Sequence, residues 1–127
     1  MKYASFDRET LPLITITFTG KPENEDNFSE YLDGLAANYQ FKVPIALVFD
    51  ASEAALPKIK YQRLQAQWMN ENEGLIKNYC KGIAYVVPSL LLQRVLQFIF
   101  SIQNNPVPFK VFRNLKEAQT WALEQVS

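Results

Sequence analysis

Among its 127 residues the chain has no histidine and a single cysteine, Cys80. Without an imidazole it lacks the commonest general base and metal ligand, and Ser-His or Cys-His nucleophile pairs are excluded. One cysteine excludes an internal disulfide. The four glycines, Gly20, Gly34, Gly74 and Gly82, stand apart, so no Gly-rich phosphate loop exists. An excess of charge of one sign is also missing: 13 Lys and Arg balance 13 Asp and Glu. A chain of zero net charge lacks the electrostatic footprint of non-specific nucleic-acid binding, so no nucleic-acid partner is expected. The same balance offers little repulsion against self-association. Long apolar runs are missing too. The richest window, Leu90 to Ile102, falls short of the about 20 residues that span a bilayer and is interrupted by Gln93, Arg94 and Gln97. No signal-peptide run opens the chain, and the sequon Asn27-Phe28-Ser29 has no secretory context. The expectation is a cytoplasmic protein with no integral membrane segment.

What is present is material for a core. The apolar fraction is 48%, with nine Phe and six Tyr. Residues 1–127 suit a single domain that needs no staples. Tyr3 to Phe6 and Leu13 to Thr19 read as strands; in the second, Ile14, Ile16 and Phe18 alternate with Thr15, Thr17 and Thr19, which predicts one polar face. Phe28, Tyr31, Leu32, Leu35, Ala36 and Tyr39 follow helical spacing, with Asn27 and Glu30 at capping-box distance. The preceding Glu23-Asn24-Glu25-Asp26 reads as a solvated helix start, since no ligand set accompanies it. Ile45 to Phe49 and Gly82 to Val87 are continuous apolar runs, the mark of strands buried on both faces. Between them a helix opens at Pro57 and carries Tyr61, Leu64, Trp68, Leu75, Ile76 and Tyr79, with a possible break near Asn70 to Gly74. Ser89 caps a third helix, Leu90 to Ile102, and Asn114 with Glu117 opens a last one after the strand Phe109 to Phe112. The predicted fold class is α/β: a five-stranded mixed, mainly parallel sheet with about four helices.

This order of elements, Val48-Phe49-Asp50 closing a buried strand, and Lys81 to Ser89 leading into an apolar helix resemble the SpoIIAA-like proteins of the STAS fold, related in architecture to the SEC14 lipid-binding domains. The resemblance implies a superhelix of βα units whose first strand pairs antiparallel. It also implies a non-catalytic protein-interaction or regulatory module acting on a protein partner not identified by the sequence; the SEC14 relationship adds an alternative, a carrier of an apolar small molecule or lipid. Anti-sigma-factor antagonists carry a phosphorylatable serine, usually within Asp-Ser-Ser-Gly, after the third strand. Here that stretch is Asp50-Ala51-Ser52-Glu53-Ala54-Ala55-Leu56-Pro57, with one serine and neither the Ser-Ser pair nor the Gly. A phospho-switch motif is therefore not recognisable.

Three places hold candidate chemistry. Asp50 and Ser52 lie beyond the carboxyl end of a strand, where open α/β sheets bind ligands, although such residues equally serve to satisfy loop backbone. Cys80 has Lys77 and Lys81 near it in sequence, which would lower its pKa, but a lone cysteine is more often a buried apolar residue. No catalytic set, metal or cofactor is expected. The third helix is the feature that exceeds structural need: nine of its thirteen residues are apolar. At 100° per residue these cover roughly 200°, against the about 100° that packing on a sheet requires. Leu91 and Phe98 flank one edge of that arc, Leu96 and Phe100 the other. The neighbouring helix with the Pro106-Val107-Pro108 loop, a second copy forming a homodimer, or an apolar ligand must cover the surplus.

Overall fold

The computed structural model describes residues Met1–Ser127. The chain runs β1 (Ala4–Asp7), β2 (Leu13–Phe18), α1 (Glu25–Ala37), β3 (Ile45–Asp50), α2 (Ile59–Glu71), α3 (Glu73–Tyr79), β4 (Cys80–Val86), α4 (Leu90–Ile102), β5 (Phe109–Phe112) and α5 (Leu115–Val126). The five strands lie in sequence order. β1 pairs antiparallel with β2, and each later strand adds parallel to the one before. Each helical crossover therefore moves the chain one strand along, as parallel neighbours demand.

Strand alternation divides the sheet between two cores. Ile14, Ile16, Ile45, Leu47, Phe49, Ile83 and Tyr85 point to the face covered by α1, α2, α3 and α4. Leu13, Ala46, Val48, Ala84 and Val86 point to the other, which α5 covers through Ala118 and Ala122. The continuous apolar runs in β3 and β4 have this cause: both of their faces are dry. Alanines meet alanines across the second interface, so α5 packs close against the sheet.

Three local expectations are revised. The threonine face of β2 is not wholly solvated: α5 covers Thr15, whose buried hydroxyl accepts from Gln119 Nε2 at 3.3 Å, while Thr17 is half-buried and Thr19 exposed. The long central helix breaks at Asn72, inside the expected Asn70 to Gly74 window, into α2 and α3, which makes five helices. The first helix begins earlier than Asn27. Asn24 is its cap, accepting from Asn27 N while Asn27 Oδ1 accepts from Asn24 N, each at 2.8 Å. α2 likewise begins at Ile59, beyond Pro57, and Glu23 Oε1 accepts from Lys58 N at 2.9 Å, capping it from 35 residues away. The turn after β2 depends on Gly20, whose φ is +83° and whose added Cβ would stand 2.6 Å from Glu53 O. That contact seats the loop after β3 against the end of β2, which shapes one rim of the site below.

Candidate ligand cavity

The first core is incompletely filled. At the carboxyl ends of three adjacent strands, Phe18, Phe49 and Tyr85 stand on the helical face. Their rings run nearly parallel, Phe18 to Phe49 at 6.1 Å and 15°, Phe49 to Tyr85 at 5.4 Å and 10°. Above them α2 and α4 leave a cavity of about 100 Å³, partly open to solvent. Tyr3, Phe28, Tyr31 and Tyr61 wall one side, with each ring packed about 5 Å from a neighbour. Leu92, Val95, Leu96, Ile99 and Phe100 of α4 close the other, and Ala51, Ala54, Ala55 and Pro57 form the rim. Their spacing on α4 is one helical stripe. α4 is also the one helix without a fully buried residue, because its inner stripe borders space rather than packed atoms.

Twenty residues line the cavity, eight of them aromatic and none charged. Its polar groups are neutral. Gln62 Nε2 is tied to Pro57 O at 2.8 Å. Gln65 lies beside the Tyr31 hydroxyl, and Gln103 beside that of Tyr85. Burial drives the Tyr31 and Tyr85 phenols well above their ordinary range, with Tyr3 and then Tyr85 adding to it at Tyr31 and Cys80 at Tyr85; burial and then Glu23 do the same for Tyr3. These hydroxyls therefore stay protonated near neutrality. They offer hydrogen bonds and cannot act there as general bases. Gln103, just beyond α4, is buried, and its Oε1 has no hydrogen-bond partner.

The residues singled out from sequence fall in different places. Asp50 and Ser52 do not line the cavity. By strand alternation Asp50 belongs to the α5 face, and its Oδ1 accepts from Ser52 N at 3.0 Å and Ser52 Oγ at 2.6 Å, a loop-closing arrangement. Leu96 and Phe100 turn inward; the Phe100 ring meets Tyr85 edge-on at 5.2 Å and Phe109 at 4.6 Å. Leu91 is 55% exposed and Phe98 half-buried, so the uncovered edge of α4 is theirs. Cys80 is buried, and burial pushes its thiol up to about 11; its Sγ donates to Gly82 O, and Lys81 opposes the shift only weakly. It is an inert core residue. Sequence reasoning missed the aromatic floor and Gln103. Phe18 and Phe49 were detectable as matching aromatics at strand ends on one parity. The burial of Gln103 had no sequence signal.

Comparisons of the chain with protein-family models, curated proteins and solved structures return no match. No helix is long and apolar enough to cross a membrane.

Proposed function

We propose that this protein is a non-catalytic binder, carrier or sensor, of a compact neutral and largely apolar molecule held between the strand ends and α4. The observation that carries this reading is a partly open cavity with sixteen hydrophobic residues among twenty and no charged one. It sits beyond the carboxyl ends of parallel strands, where open sheets of this kind bind ligands. Size selects within the class. A space of about 100 Å³ favours a compact molecule such as one or two fused rings. The absence of carboxylate, amine, guanidinium and thiol from the lining supports a binding role. Native mass spectrometry of freshly purified protein, with ligand-observed NMR against a panel of neutral rings, tests it. No co-purifying mass and no ring binding would sink the proposal.

A second reading, an interaction module that works as a homodimer in the manner the STAS resemblance implies, has its own support. Leu90 and Leu91 are 71% and 55% exposed, and Phe109 and Val111 leave apolar side chains uncovered on the edge strand β5. An exposed apolar edge on a chain of zero net charge favours association with a second copy. Light scattering checks it, as set out below.

A further inference from the structure

Gln103 is the point at which the cavity is chemically incomplete. Its side chain is 7% exposed and Oε1 is unpaired, whereas buried acceptors in folded proteins are nearly always satisfied. The backbone at this residue is fixed, since Gln103 N donates to Ile99 O at 3.0 Å and closes α4. The amide is held loosely. Nε2 makes one long contact, 3.3 Å to Asn105 Oδ1, and a looser one to the Tyr85 oxygen, while Oε1 has none, and the terminal torsion of a glutamine is broad. A small rotation turns Oε1 toward a donor inside the cavity without disturbing the helix. The groups next to it are the Tyr85 hydroxyl and, further along the wall, those of Tyr31 and Tyr3, all neutral. The surface below is aromatic, from Phe18 through Phe49 to Tyr85.

Resting on the cavity reading above, we propose that the ligand is a compact aromatic ring bearing a neutral N–H or O–H group, of the indole or phenol class, which donates to Gln103 Oε1. Each part has a separate cause. The ring matches the flat aromatic lining, where offset and edge-on contacts add to area burial. The donor satisfies the one acceptor that the fold leaves without a partner. Neutrality follows from the lining, because an ion taken from water into a site with no opposite charge has nothing to offset its desolvation.

The test uses pairs that differ only in the donor: indole against indene, and phenol against toluene. Binding to the full chain is measured by ligand-observed NMR titration, in the wild type and in Gln103→Met. The wild type is expected to favour indole over indene by about tenfold relative to the variant, the effect of satisfying a buried acceptor. Gln103→Met is expected to keep indene and lose the preference. Gln103→Leu, which also removes Oε1, is the second variant if Gln103→Met fails to fold, and it should lose the same preference. A preference unchanged by a folded variant overturns the inference and leaves the cavity reading standing. Benzoate binding as tightly as phenol overturns the neutral-ligand assignment. If no ring of either pair binds, the cavity reading itself falls.

Discussion

Replacing Gln103 by methionine should make the unliganded protein more stable, a result opposite to that of most buried substitutions. The side chains are close in length, so the change is mainly the removal of an amide. An unsatisfied buried acceptor costs about 1–3 kcal/mol, and Oε1 is such an acceptor. Against this stands the loss of the Nε2 contacts, 3.3 Å to Asn105 Oδ1 and a looser one to the Tyr85 oxygen, at the weak end of the about 0.5–1.5 kcal/mol range. The difference is a gain of about 0.5–2 kcal/mol. With an unfolding entropy of about 2.1 cal/mol/K per residue, 127 residues convert 1 kcal/mol into about 4 °C. Calorimetry should therefore place the variant about 2–8 °C above the wild type, with the urea m-value unchanged. Gln103→Glu has the same shape and should move the other way. No cation lines the cavity, so a carboxyl there must be protonated, which at pH 7 costs up to about 3.7 kcal/mol. A site residue kept against stability is the pattern expected where function sets the choice. If Gln103→Met melts below the wild type by a few degrees, Oε1 is engaged in the native fold and the residue is structural.

The remaining predictions are more local. Burial raises the Cys80 thiol to about 11 and the Tyr31, Tyr39 and Tyr85 phenols higher still, so the unfolded chain releases these protons first. Stability is then full below about pH 8.5, the unfolded thiol value, and falls as pH rises past it and past about 10 for the phenols; a urea midpoint constant from pH 7 to 11 refutes this. If α4 pairs two copies, Leu91→Glu and Phe98→Glu should give monomers by light scattering at tens of micromolar with circular dichroism unchanged, and a monomeric wild type removes the homodimer reading. Phe100→Glu belongs to a different experiment, because that ring packs on Tyr85 and Phe109 inside. Ala122→Leu should cost about 1–3 kcal/mol in a denaturant titration, since α5 meets the sheet there through fully buried small residues; an unchanged midpoint would show that α5 yields easily.

Much of the fold was legible because it is written in local periodicity. Ile45 to Phe49 and Gly82 to Val87 have no polar position, and only a strand covered on both faces tolerates that. Ser89 and Asn114 cap their helices as their residue types imply, Ser89 Oγ accepting from Leu92 N and Asn114 Oδ1 from Glu117 N. The over-wide apolar arc of α4 was legible as well, as a demand for something beyond the sheet. What tertiary structure alone decided is how that demand is met. The inward stripe borders a cavity because α2 and α4, tied together where Asn70 meets Ile102 and Asn104, leave space over three aromatic rings, and that placement is set by contacts between residues far apart in sequence. Thr15 reads as a solvent position until α5 crosses to the opposite face and Gln119 reaches it. Asn24 and Asn27 are equally good caps by type; the choice lies in their reciprocal bonds, with Glu23 anchored to Lys58 beside them. Gln103 is the extreme case. A glutamine after a helix is polar and flexible, and pattern assigns it to water. Only the closure of α4 onto the wall takes it from solvent, because burial depends on what the rest of the chain places around a residue.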